Sequence, residues 1–128
     1  LLPGDGYAAC VKPFRALEDT FVTAAVVAYL LREARQRAWP TELRERLSAT
    51  LATLAALSAS PLEAPAASIA LAGALHWAAQ LYREAGTLWA QTPDDPAAQR
   101  WQRDAPLFNV AARARQLRAQ RAWEQLLP

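Results

Sequence analysis

Residues 41–57 read TELRERLSATLATLAAL. Leu43, Leu47, Leu51, Leu54 and Leu57 recur at spacings of four and three, with Glu42, Glu45, Arg46, Ser48 and Thr53 between them. That period lines the leucines along one stripe of an α-helix and turns the polar groups away from it. A strand needs a period of two, which this stretch lacks. Trp39-Pro40 stands just before it, and a residue preceding proline avoids α geometry. One helix therefore ends there, and Thr41 is placed to cap the next, which runs to about Leu57.

Upstream, Phe21 to Leu31 is apolar nearly all round, which predicts a central, buried helix over 14–38. Pro13 suits its first turn, Glu18 and Asp19 favour its start, and Arg32, Arg35 and Arg37 favour its end. Downstream, Pro61 and Pro65 break the chain into a loop over 58–65. A third helix follows over 66–91, with Ile69, Ala72, Leu75 or His76, Ala79 and Tyr82 as its stripe. Gly73 and the surrounding alanines there permit close helix approach. Thr92-Pro93-Asp94-Asp95-Pro96 is a second break, with Asp95 as cap and Pro96 in the first turn. A short helix then runs to Asp104, and a long one continues from Asp104 as cap. In the long helix Leu107, Val110, Ala114 and Leu117 face inward and Arg113, Arg115, Arg118 and Arg121 outward. Long helices with short proline-bounded breaks make antiparallel neighbours, so the expected fold is all-α, an up-down antiparallel four-helix bundle over residues 14–128. Residues 1–13, with Pro3-Gly4-Asp5-Gly6, read as a linker from an upstream domain.

Composition agrees. The chain has 128 residues, 31 of them alanine and only 4 glycine, with few β-branched side chains, which leaves little material for a sheet. This is one domain's length. The net charge is +2, and 13 of the 14 cations are arginine, so the excess is too small to argue for nucleic acid. Cys10 alone excludes an internal disulfide and a cysteine-based zinc site, and a reducing cytoplasm is the simplest compartment. No run approaches the ~20 apolar residues of a membrane span.

Few side chains offer chemistry. His76, the single histidine, sits on the expected apolar face of its helix and reads as a core or interhelix hydrogen-bonding group. The chain has no Glu-x-x-His pair for a di-iron site, no other metal motif, and no glycine-rich phosphate loop. Arg100 to Arg121 are the densest charges and read as a solvated face or as contacts to an anion. Glu18 lies one turn inside the apolar helix. Desolvation strengthens a carboxylate as a base, so Glu18 is the candidate general base, against the plainer reading of a helix-start acid met by the dipole or by Arg15.

Three segments carry a family resemblance. Leu2-Pro3-Gly4-Asp5-Gly6-Tyr7 resembles the junction between the β-domain and the C-terminal helical bundle of an acyl-CoA dehydrogenase. Arg15 to Leu31 resembles the first long helix of that bundle, and Arg100-Trp101-Gln102-Arg103-Asp104-Ala105 is similar to its R-x-x-R-D-A signature. The resemblance implies FAD, an acyl-CoA substrate, a glutamate base for α,β-dehydrogenation, and a homodimer or homotetramer. Of the family's two glutamate placements, the Glu-Gly-Thr one is absent, and Leu17-Glu18-Asp19 falls at the other. The Arg-x-x-Phe-Gly and Gly-Gly-x-Gly flavin elements are not found, which leaves Arg103 and Arg113 as candidate cofactor contacts. Arg103 and Asp104 also read as a structural ion pair. The rival is a non-catalytic helical dimerisation or ligand-binding domain, such as a regulator's, or an inactive structural relative.

Overall fold

Proline, capping carboxylate and leucine stripe mark out five helices in the computed structural model, which describes residues 12–109 and 112–127. They are α1 (Lys12–Gln36), α2 (Thr41–Ser58), α3 (Pro65–Trp89), α4 (Pro96–Asp104) and α5 (Ala112–Leu126), with a 3₁₀ turn over Ala105–Asn109. The fold is all-helical among the described residues. The Leu2–Tyr7 junction, Cys10 and most of the expected linker lie outside them, as does Val110.

α1 and α2 pack along each other, α2 also packs on α3, and α3 carries α4 and α5. Two helices meet through spacings of four and three. Ala16, Thr20, Thr23, Val27, Leu30 and Ala34 form the inner stripe of α1, and Leu43, Leu47, Thr50, Leu54 and Leu57 that of α2. Such spacing keeps a seam facing its neighbour along the whole helix. The buried Thr20 hydroxyl donates to the Ala16 carbonyl at 2.7 Å, so it brings no unmet donor into the core. Arg46 reaches from α2 to Glu84 on α3, its Nη1 donating to Oε1 at 2.9 Å.

Helix α1 closes at Ala38, whose φ is 52°. The Trp39 amide donates back to the Ala34 carbonyl at 2.9 Å, the six-to-one bond of a Schellman ending. That position normally takes glycine, because a Cβ is crowded at positive φ. Ala38 is exposed, so its methyl gains nothing in return. Ala38→Gly is therefore expected to stabilise the fold by about 1 kcal/mol. Thermal unfolding should register a rise of roughly 3–5 °C, and an unchanged or lower midpoint would contradict the strain at this turn.

Asp95 caps α4 as expected, its Oδ1 accepting from the Ala97 amide at 2.8 Å. Arg37 hydrogen-bonds its other oxygen, and that contact, with the Ala97 amide, holds the Asp95 carboxyl below the usual range. Arg37 also donates from Nε to the buried Glu33 at 2.8 Å and lies 5.6 Å over the Trp89 ring. One guanidinium thus ties the end of α1 to the start of α4.

Several expectations shift. Helix α2 begins at Thr41 itself with Pro40 at the cap, and the Thr41 hydroxyl accepts from Arg44 instead of capping. The α3 stripe is Ser68, Leu71, Ala74, Leu75, Ala78, Leu81, Ala85 and Trp89, one residue out of phase with the predicted one. His76 is consequently exposed, its Nε2 standing 3.4 Å from the Gln80 amide nitrogen. A Cβ at Gly73 would meet nothing within 4 Å, whereas one at Gly86 would meet Trp101, so Gly86 is the position of close approach. Pro106 delays the last helix to Ala112, and Asp104 pairs with Arg103 instead of capping. On α5 the expected faces hold only in part: Arg113 and Arg121 face outward as expected, but Leu107, before the helix, Ala114 and Leu117 are exposed, while Arg115 and Arg118 turn toward Asp19 of α1.

Candidate functional site

Two features rise above packing: a cavity beside α3, and the outer face of α1.

The cavity follows from large rings set against small residues. Ala78, Ala79, Gly86 and Ala90 make a low strip along α3, and Val22, Thr23 and Val26 of α1 face it. Helix α4 and the 3₁₀ turn bring Trp101 and Phe108 over that strip. The result is a cleft of about 750 Å³, the size of an ordinary small-molecule site. Its walls include four linked rings. Trp89 and Trp101 lie 5.2 Å apart, Trp101 and Phe108 5.2 Å, and Tyr82 and Phe108 4.8 Å. Tyr29 and Trp39 extend the cluster behind Trp89 at 6.2 and 4.9 Å. Six of the chain's eleven aromatic side chains are thereby joined.

Thr23, Tyr82, Gln102 and Asn109 are the cavity's neutral polar side chains, and its charged groups are of one sign. Arg83 and Arg115 line the cavity, and no aspartate or glutamate does. Burial pushes the Tyr82 phenol up to about 12, against the opposing influence of a hydrogen bond with Thr23 and the nearby Arg115 charge, so it stays a neutral hydroxyl. Four buried donors have no acceptor among the described residues: the Trp89 indole N–H and the Arg115 Nε–H at the cavity, and the Nε–H groups of Arg44 and Arg46 on α2. Each such orphan costs about 1–3 kcal/mol. Arg115 is loosely held otherwise: its contacts to the Phe108 carbonyl and to Asp19 are 3.4 and 3.5 Å long. Arg118 holds Asp19 closely, at 2.8 Å.

The second feature is an open apolar face. Phe14, Leu17, Phe21 and Val22 are 61, 37, 57 and 52% exposed. The expectation of a helix buried all round is thus corrected: α1 buries one stripe and leaves the other uncovered. Glu18 stands exposed in the middle of that uncovered face, with Phe14, Phe21 and Val22 three or four residues away on the same side.

The three residues singled out from sequence are not brought together at the cavity. Glu18, Arg103 and Arg113 all lie outside its lining. Arg103 is exposed and donates to both oxygens of Asp104, at 2.8 and 3.1 Å. Arg113 is exposed on the first turn of α5. Sequence reading took Asp19 as a helix-start acid and Arg115 as an outward cation, and it did not single out Trp89. The 115, 118, 122 spacing was available as a signal, but nothing local told which partner it faced. Among the described residues no group of three or more His, Cys, Asp or Glu is placed to hold a metal ion. None of their helices is long and apolar enough to cross a membrane. Compared with protein-family models, curated proteins and solved structures, the chain matches none of them.

Proposed function

We propose that this chain is the C-terminal helical domain of an acyl-CoA dehydrogenase-like flavoprotein, with α1, α2, α3 and α5 as its up-down four-helix bundle. The observation that carries the reading is the outer face of α1. An exposed stripe of Phe14, Leu17, Phe21 and Val22 around a carboxylate is a surface made to be covered, with its charge at the centre. Glu18 is the general base that takes the α-proton of an acyl-CoA once that face is covered by an upstream domain and cofactor. The resemblance of the Leu17-Glu18-Asp19 segment and of Arg100 to Ala105 supports the same assignment.

FAD is the cofactor of this proposal, and its function is to accept the substrate's β-hydride. The fit is partial. The α1 face offers an apolar wall for a ring, whereas Arg103 is already neutralised by Asp104. That leaves Arg113 as the phosphate contact from this chain, with the remaining ligands supplied by the covering domain or a second subunit. Exposed Trp77, Leu117 and Trp123 on α3 and α5 would serve self-association into a dimer or tetramer.

A second reading, a non-catalytic ligand-binding bundle, is favoured by the aromatic cavity, which the dehydrogenase assignment does not use. A visible absorption spectrum separates the two. The protein as its cell makes it should show flavin bands that bleach on anaerobic addition of mixed acyl-CoAs. A colourless protein that takes up no added FAD would overturn the dehydrogenase reading in favour of the second.

A further inference from the structure

We infer that the cavity beside α3, which shares Val22 with the Glu18 face but does not include Glu18, is a binding site for a small aromatic carboxylic acid. The inference does not depend on dehydrogenase chemistry. Four properties of the cavity converge on that ligand class.

The first is shape and surface. A cleft of about 750 Å³ walled by Tyr82, Trp89, Trp101 and Phe108 suits a flat apolar body. The rings already pair at 4.8–5.7 Å, and an inserted aromatic ring extends the same edge and offset packing. The second is sign. The charged groups lining the cleft are Arg83 and Arg115, with no carboxylate among the lining residues, so the complementary ligand is an anion.

The third is unmet bonding. Buried donors are almost always paired, and an exception calls for a cause. Here the two exceptions at the cavity, the Trp89 Nε1 and Arg115 Nε groups, are both donors and both belong to lining residues. Both atoms lie beneath the cavity surface, so a ligand would meet Arg115 at its other nitrogens, and the unmet Nε–H marks that guanidinium as only partly engaged by the protein. The fourth is availability. Arg118 rather than Arg115 makes the close bond to Asp19, 2.8 Å against 3.5 Å, which leaves the Arg115 guanidinium to a ligand without stranding Asp19. A carboxylate on Arg115 with the ring among Trp101, Phe108 and Tyr82 matches the shape of the cleft, the sign of its charges and the availability of that guanidinium.

Isothermal titration of the 128-residue chain with 4-phenylbutyrate and with its uncharged amide tests this. The acid is expected to bind with a dissociation constant of about 10–100 µM, and the amide about tenfold more weakly, since a hydrogen bond to a charged group is the stronger. Arg115→Gln should weaken the acid by about tenfold or more and leave the amide unchanged. Ala79→Phe, which fills the cleft from a half-buried position on α3, should remove binding of both. Equal affinities for acid and amide on the unaltered chain would overturn the proposal even if Arg115→Gln loosens α5. So would unaltered binding to the Ala79→Phe protein, or no binding up to about 5 mM by a chain whose circular dichroism is helical. Loss of turnover through Glu18 changes would leave these titrations as they are, so the two readings fail separately.

Discussion

Trp89→Ala is expected to lower the free energy of unfolding by about 4 kcal/mol, the upper range for a large aromatic truncated in a core. The side chain is 2% exposed and touches the chain from four directions. Tyr29 stacks on it, Trp39 meets it edge-on at 4.9 Å, Trp101 lies at 5.2 Å, and the Arg37 guanidinium sits 5.6 Å over its ring. Its loss would open a void between α1, α3 and α4 that none of the four can fill without leaving another partner. A domain of this size holds only about 5–15 kcal/mol in all, so the urea midpoint should fall steeply with little change in slope. Trp89→Phe is the informative companion. Phenylalanine keeps a ring among the neighbours and removes the indole N–H that has no acceptor. Relief of an orphaned donor offsets about 1–3 kcal/mol of the lost volume. The phenylalanine protein should therefore stand well above the alanine one. If the two variants lose equal stability, the stacked cluster is not what holds α4 against α1 and α3.

How much of this was legible beforehand differs from helix to helix, for physical reasons. Helix α2 was read almost to the residue, because its leucines alternate with charged and hydroxyl side chains and admit one phase only. The proline breaks were as plain, since a missing amide hydrogen and a fixed φ act locally. Helix α3 was legible as a helix but not in phase: apart from Ser68 and His76, residues 66–79 are apolar or glycine, so a one-residue rotation changes little that periodicity measures. That slip put His76 inside on paper and outside in the fold. On helix α5 the outward reading holds for Arg113 and Arg121 and fails for Arg115 and Arg118, because arginine is normally a surface residue. Arg115 and Arg118 turn inward only because Asp19, nearly a hundred positions earlier, waits on α1. The cavity was not legible at all. It arises where small residues of α3 stand opposite rings delivered by α4 and the 3₁₀ turn, a product of packing between elements rather than of any segment.

On the proposed dehydrogenase reading, Glu18→Gln is expected to cut turnover by about 10²–10⁴-fold, the range for removal of a general base, while the fold stays as it is. The two halves of that expectation rest on different facts. Glu18 is exposed, so an isosteric amide at this position leaves packing alone, and surface changes of this kind stay within about 0.5 kcal/mol. Its neighbours Phe14, Phe21 and Val22 are exposed too, and the proposed role rests on that apolar surround. When a partner surface covers those side chains, it takes water from the carboxylate with them. Exclusion of water in this way is the setting in which the proposed base would take a weakly acidic α-proton. Glutamine keeps the shape and the apolar cover and loses only the capacity to accept that proton. The measurement is single-turnover reduction of bound flavin by acyl-CoA, with flavin content determined on the same sample. Slow reduction at full flavin content would mark Glu18 as the base. Unchanged reduction would sink the assignment, because no adjustment of packing can return a proton acceptor to an amide. Loss of flavin together with activity would assign Glu18 to holding the cofactor's surroundings instead. That outcome would still require the α1 face to be covered in the working protein.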